Sequence, residues 1–323
     1  MAIQVGSGSQ CQIGKESAYG TPVSATKAIN FTSESVKLTV DKRDEGNLIS
    51  SVSPTARDLM AAKVDGSVSF ILRPDFAGFL FKAAFGGTDV ITASSPVVGS
   101  TKHTIALAAA NASLPSYTLI MDRKVSVKKY SGMKIDTLQL DAKAGDYVKG
   151  SFTIKAKDES TGTAASIAAT SLMSYKCVGG TLTLAGTPYD INGATVKLNN
   201  KLQDVPQTYT SGLYNPEPIH GMREITLDFD IPYDTNIDTI RDTNLTTETK
   251  IATAVLTLIS PSMITGTTPY KVVLTLNNVA ITDVTSNVSG SGIITAKVSG
   301  IALAIGSTAP ATVDVYDDQS TAY

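Results

Sequence analysis

The chain has no tryptophan, two histidines and two cysteines in 323 residues. Cys11 and Cys177 are too few and too far apart for a disulfide framework or a metal-ligand cluster, and they read as two free thiols. His103 and His220 each sit in a loop-like segment with no cysteine or acidic ligand pattern nearby. Neither belongs to a two-histidine helix motif. No serine stands in a nucleophile-elbow pattern. The stretch from Gly8 to Lys15 fails as a phosphate loop, because five residues separate Gly8 from Gly14 and Glu16 follows Lys15, where an acid would repel phosphate. These absences leave no catalytic constellation, no metal and no cofactor, so an enzyme is not expected.

Charge is scarce as well. Charged residues make up 17 % of the chain, and 27 Lys and Arg against 29 Asp and Glu give a net charge of −2. A protein that grips DNA clusters Lys and Arg against phosphates, and no such cluster occurs. No apolar run approaches the ~20 residues of a membrane span. The opening MAIQVGSGSQ has neither the basic region nor the apolar run of a secretion signal. The expectation is a protein made and folded in a cytoplasm, with no membrane partner. Asn30, Asn111, Asn244 and Asn287 begin Asn-x-Ser/Thr triplets, which a Ser- and Thr-rich chain yields by chance.

What is present is β-forming. Hydrophobic residues make up 42 % of the chain, Thr, Ser, Val and Ile abound, and long helical periods are rare, which points to a mainly β protein. The length suits about two domains of roughly 150 residues each. The clearest local signal is GSVSFILRPDFAGFLFKAAFGG, residues 66–87. Val68, Phe70 and Leu72 alternate with Ser67, Ser69 and Ile71 as a half-buried strand, and after Pro74 the period changes to that of a helix. Phe76, Phe79, Leu80, Ala83 and Ala84 share one helical face. Asp75 is the expected N-cap, and Gly86-Gly87 the stop.

Val36, Leu38 and Val40 form an earlier strand, followed by a charged 25-residue loop over residues 41–65. Residues 88–115 read as a surface excursion. Strands follow at Tyr117–Met121, from Val125 to Tyr130, and from Met133 to Leu140, with a bulge at Thr137 where the alternation slips. Ala144-Gly145-Asp146 is a hairpin turn. In the next strand Val148, Phe152, Ile154 and Ala156 are dry, and Lys149, Lys155 and Lys157 form a basic face placed outside or at a module interface. Residues 158–171 read as a linker.

The second half repeats the first. Ser35-Val36-Lys37-Leu38 recurs as Thr195-Val196-Lys197-Leu198, and Val68–Leu72 as Leu227–Ile231. Asp75 matches Asp234, with a weaker helical face in Ile237 and Ile240. The preceding loops, 41–65 and 199–223, are equally long. The hairpin from Ile135 to Ile154 recurs as Ile281 to Gly300. The domains are therefore expected at residues 1–170 and 171–323. Glu224, Asp228 and Asp230 lie on one strand face, which reads as a solvated acidic face rather than an acid–base pair.

The order of several features resembles the tail tube (major tail) proteins of long-tailed bacteriophages. They are GSGSQCQIGKESAYGTP at residues 6–22, Phe31 to Lys37 before the long loop, Asp65-Gly66-Ser67-Val68, the helix from Asp75 to Gly87, Pro115 to Leu119 and Tyr130 to Ile135. In the second half, Asn199 to Leu202 and Glu217-Pro218-Ile219 before Arg223-Glu224-Ile225 fit the same pattern. The resemblance spans roughly residues 6 to 305 and rests on order, since no single motif is specific.

The resemblance implies two tandem tail-tube-like β-sandwich or barrel modules, each with a short flanking helix. It implies a virion tail protein, assembled in the bacterial host cytoplasm, whose rings stack into a tube through which DNA passes on ejection. Its partners would be itself, with three chains in a pseudo-sixfold ring favoured over six, and the terminator, tape measure and distal tail proteins. Candidate ring-stacking residues are Asp41, Arg43, Asp44, Glu45, Arg57 and Asp58 in the first loop, and Gln203, Asp204, Tyr209 and Tyr214 in the second. Glu224, Asp228 and Asp230 are the candidate lumen-facing acids, because a wall that lets DNA slide must not bind phosphate strongly. The competing readings are another ring-forming tail component, such as a terminator or distal tail protein, and a two-domain β-sandwich adhesin. The missing secretion signal and the strand–helix unit argue against the adhesin.

Overall fold

The computed structural model describes residues 5–45, 53, 56–109, 112–167, 170–286, 293–306 and 308–323. The architecture is mainly β. The first half carries β1 (Gln10–Lys15), β2 (Lys27–Ile29), β3 (Phe31–Glu34), β4 (Lys37–Asp44), β5 (Arg57–Ile71), α1 (Pro74–Phe85), β6 (Gly86–Ala93), β7 (Thr101–Leu107), β8 (Tyr117–Asp122), β9 (Val127–Lys143), β10 (Lys149–Ala156) and β11 (Asp158–Thr161). The second half carries β12 (Lys176–Leu184), β13 (Thr187–Tyr189), β14 (Gly193–Asn199), β15 (Leu202–Gln203), β16 (Ile219–His220), β17 (Glu224–Pro232), α2 (Thr235–Ile240), β18 (Ile251–Thr265), β19 (Thr268–Ser286), β20 (Thr295–Ala302) and β21 (Ala311–Asp317). No helix among the described residues is long and apolar enough to cross a membrane.

Several segments differ from the sequence expectation. Much of the charged loop at 41–65 is regular: β4 and β5 pair from Lys37–Asp65 out to Asp44–Arg57 as an exposed two-stranded ribbon. Its outer part has no core to face, so it lacks the apolar alternation by which a strand is recognised. Residues 46–52, 54 and 55 lie outside the described residues. The excursion at 88–115 contains the hairpin β6–β7, and β7 buries Thr101, His103 and Ile105 in strict alternation. The two strands expected between Val125 and Leu140 are one, β9, and the linker begins with a strand, β11.

The helix α1 follows the expected span, and Gly86 ends it in the left-handed conformation at φ 74°. Its cap differs: Arg73 is the N-cap residue, makes no side-chain cap bond, and places Pro74 at the first helical position, where no N–H is needed. Asp75 lies two residues past the cap position. Phe81, Phe85 and Ala77 are buried along with the expected Phe76, Phe79, Leu80, Ala83 and Ala84, so α1 is buried on more than the one face its period suggests. In α2, Asp234 is a true N-cap and accepts from the Asn236 and Ile237 amides.

The strands form two layers around this core. The inner sheet runs β3/β4–β5–β10–β9–β14–β17–β20–β19, antiparallel throughout. It crosses from the first half to the second at the β9–β14 seam, where Leu138, Leu140 and Ala142 oppose Leu198, Val196 and Ala194. Behind it lie β2–β1–β8–β9–β11 on the first half and β13–β12–β18–β19–β21–β7–β6 on the second. The long strands β9 and β19 each begin in the outer layer and end in the inner one.

The crossover in β9 is built around Gly132, at φ 67°, where a Cβ would sit 2.9 Å from both Tyr19 and Lys157 side chains. The buried Glu16 carboxylate accepts from the Gly132 amide at 2.9 Å, the Thr118 hydroxyl at 2.8 Å and the Gly20 amide at 3.0 Å. Past the crossover, Ile135 opposes Ile154 and Thr137 opposes Thr153, which leaves Asp136 as the bulged residue, one position before the expected slip. The freed groups of Asp136 are used: its carbonyl accepts from the Asn200 amide and its carboxylate from the Leu202 amide.

Candidate assembly surface

The inner sheet buries one face and leaves the other polar. Phe70, Phe152, Leu140, Val196, Leu227 and Val298 face the core. In register on the opposite face stand Lys149, Asp141, Thr195, Asp228, Ser299 and Asp283, one from each of six successive strands. The next row carries Ser151, Gln139, Lys197 and Thr226. This surface is concave at the seam, with a hollow of about 580 Å³ lined by Asp141, Lys143, Thr195, Lys197, Asp228, Asp230 and Lys297 among others.

The three candidate acids lie together on this surface. Asp230 is exposed and directly opposes Lys297; Asp228 is half-buried between Thr195 and Ser299. Glu224 is ion-paired with Lys201 at 2.6 Å. The basic face of β10, expected outside or at a module interface, is not separate from these acids at Lys149. Lys149 opposes Asp141 on the same surface as Asp228, because one continuous sheet carries both strands. The surface is therefore mixed in charge, with Lys149 across from Asp141 and Asp230 across from Lys297, while the Lys149 ammonium itself reaches Asp146 at 2.6 Å.

The loop candidates separate into two groups. Asp41, Arg43, Asp44, Glu45, Arg57 and Asp58 all fall on the exposed end of the β4–β5 ribbon. Arg57 and Asp44 form a two-pronged pair, with Nη2 to Oδ2 at 3.0 Å, and the guanidinium hydrogen bond holds the Asp44 carboxyl below the usual carboxylate range. Arg43 and Asp41 lie at 3.7 Å, and Glu45 joins the ribbon through its amide to the Ala56 carbonyl. The second loop is not a matching arm. It folds back on the first half: Asp204 meets Lys155 at 2.9 Å, the Ala62 amide donates to the Leu213 carbonyl at 2.9 Å, and Tyr214 bridges to Ala62 and engages Asp158. Gln203 pairs with Ile219 in the small β15–β16 ladder, and of this group Tyr209 alone stands fully free of the surface.

Sequence reasoning missed the fastening of this loop. The Lys134 side chain is 1 % exposed, and its ammonium meets Glu217 at 2.6 Å, Ser113 at 2.8 Å and the Tyr19 ring at 5.6 Å. Both histidines are in strands, not loops. His220 contacts the Ala112 carbonyl, and His103 is buried between Asp89, at 2.9 Å from Nδ1, and Asp317, at 3.4 Å from Nε2. Both cysteines are free thiols, and burial pushes the Cys11 thiol far up. Among the described residues no group of three or more Cys, His, Asp or Glu side chains is arranged to hold a metal.

None of the curated proteins compared matches the chain. The sequence profile described as phage tail tube protein matches residues 6–302, which takes in the ribbon, the seam and both ends of the inner sheet. A mainly antiparallel β architecture with two short helices accords with that match. The chain belongs to the phage tail tube protein family, and its role is that of a structural component of the virion tail.

Proposed function

We propose that the chain is two fused copies of one module, that three chains close into a ring, and that the polar face of the inner sheet lines the lumen through which DNA passes. The observation that carries this reading is the continuous inner sheet. Two modules already joined edge to edge in one chain provide a template for joining chains.

The two halves repeat in pairing as well as in sequence. Ile281 opposes Gly300 and Asp283 opposes Ser299, with Thr282 as the extra residue. That is the Asp136 bulge, displaced by 146 positions at each of the four paired residues. Strand orders β4–β5–β10–β9 and β14–β17–β20–β19 correspond. Since Gly66 opposes Ile154 and Leu227 opposes Gly300, Leu227 is the counterpart of Gly66. The sequence match of Leu227 with Val68 is thus two residues out, a slip that preserves which face is buried. By the same reasoning Asp234 corresponds to Arg73, and Val196 to Val36.

The inner sheet has two ends, the β3/β4 edge and the last residues of β19. An unpaired edge is a template for another chain, and a head-to-tail joint that closes leaves no edge over. Both halves contribute strands to the same polar face, which favours closure by three chains of eight inner strands; six would be needed only if one module were turned away. Among the described residues the face carries acids among its bases and no basic cluster, which suits a conduit that must not hold counterion-rich phosphates. The ribbon is the arm that reaches the adjacent ring. Terminator, distal tail and tape measure proteins are the neighbours along the tail, and assembly takes place in the host cytoplasm.

The seam also sets a register. Lys197 opposes Gln139, so the equivalent joint between chains puts Lys37 against Thr285 of a second copy. Lys37→Cys with Thr285→Cys, in a Cys177→Ala background, is expected to yield disulfide-linked oligomers ending in a closed trimer on mild oxidation. Crosslinking no greater than that of either single variant would refute the joint.

A further inference from the structure

The edge that would receive the next chain is not fully open. The Ser35 amide donates to the Ser67 carbonyl at 2.9 Å, so Ser35 faces β5 and its neighbour Val36 faces outward. Both outward backbone groups of Val36 are occupied by side chains. Its N–H donates to Glu34 Oε2 at 2.9 Å, and its carbonyl accepts from Arg123 Nη2 at 2.9 Å and from the Tyr130 hydroxyl at 3.4 Å. Arg123 in turn grips Glu34 with two bonds, Nε to Oε1 at 2.9 Å and Nη2 to Oε2 at 3.0 Å, and reaches Tyr130 with Nη1 at 3.2 Å. Val36 itself is buried.

The second half has no such arrangement at the same place. Val196, the counterpart of Val36, is paired with Leu140 across the seam. Ala194 stands where Glu34 would, and Leu276, 146 residues after Tyr130, has no hydroxyl. Arg123 lies in the turn between β8 and β9, whereas the turn between β18 and β19 is Gly266-Thr267, with no basic residue. Of two edges with the same position in the module, one is covered by a neighbouring strand and the other by an ion-paired clasp.

We propose that the Glu34–Arg123–Tyr130 clasp closes the Val36 edge of the free subunit and opens when the β19 edge of a second copy docks there. This rests on the reading that chains join edge to edge. Charge-assisted bonds to Val36 satisfy the groups that would otherwise invite indiscriminate strand pairing. A docking strand must replace them with neutral backbone bonds, so the exchange is close to balanced and a subunit stays single until its proper partner supplies the rest of the interface.

The test compares the full chain with Glu34→Ala, Arg123→Met and the milder Glu34→Gln, which keeps an acceptor for Val36 but loses the ion pair. Light scattering gives the critical concentration for assembly, thermal melts verify folding, and hydrogen exchange reads the Val36 amide in the unassembled protein. Losing the clasp destabilises the free subunit alone, so Glu34→Ala and Arg123→Met are expected to lower the critical concentration about tenfold. Glu34→Gln should lower it by less, and Glu34→Ala should lose the Val36 protection. Folded variants with an unchanged or raised critical concentration, while the parent chain forms tubes, would overturn the clasp and leave the edge-to-edge reading standing. Failure of every chain to associate at any concentration would overturn both.

Discussion

Three buried charged side chains hold this protein in ways that local sequence conceals. Glu16 fastens the β9 crossover, Lys134 fastens the second loop, and His103 fastens β6–β7 to the segment after β21. His103 donates from Nε2 to the Gln319 carbonyl at 2.8 Å and faces Asp89 from Nδ1, with Asp317 beside it and the Tyr323 ring 4.7 Å away. Burial disfavours its charge, but the Asp317 and Asp89 carboxylates outweigh burial and raise its pKa to about 10. In the unfolded chain the value is near ~6.5. The pair's contribution is then complete below about pH 6.5 and lost as pH rises through about 10. Melting temperature should decline across that window, and His103→Gln should lower stability at pH 6 while flattening the decline. An equal slope in the variant would assign the decline to other groups. Nothing near His103 in the chain signals this site, because the nearer carboxylate is 14 residues away and the other lies in the second half.

Among the elements, legibility followed the presence of a core-facing period. The α1 span and the buried alternation of Val68 and Phe70 could be read because each has apolar residues at a regular spacing. The β4–β5 ribbon could not, since its outer residues meet solvent on both faces and carry no alternation. Helix caps depend on a single backbone position, which periodicity does not resolve: Asp75 has a cap's composition but sits two residues inside, and Asp234 occupies the site. Asp234→Ala is expected to cost about 1 kcal/mol in urea denaturation, the usual worth of an N-cap. Asp75→Ala should not cost a cap, and its carboxyl, pushed up by burial with Oδ1 unpartnered, loses little when removed. A larger loss at Asp75 than at Asp234 would contradict this assignment.

For the whole molecule, the order of strands and loops was sufficient to suggest both the family and the repeat, since each survives a two-residue slip in strand matching. The seam was not legible. Leu138, Leu140, Val196 and Leu198 each read as core in their own halves, and sequence spacing does not say that β9 and β14 share an edge. The common face of Lys149 and Asp228 was hidden for the same reason: their relation depends on register across three intervening ladders. Once the sheet is seen as continuous, the charged residues of both halves fall on one face, and in the proposed assembly the two halves become neighbours in a ring. The number of chains per ring is the central consequence. Electron microscopy of tubes assembled from the purified chain measures it directly. Rings with three-fold symmetry, three chains and six similar lobes around the lumen are expected. Rings of six chains, with one half of each chain outside the wall, would contradict that.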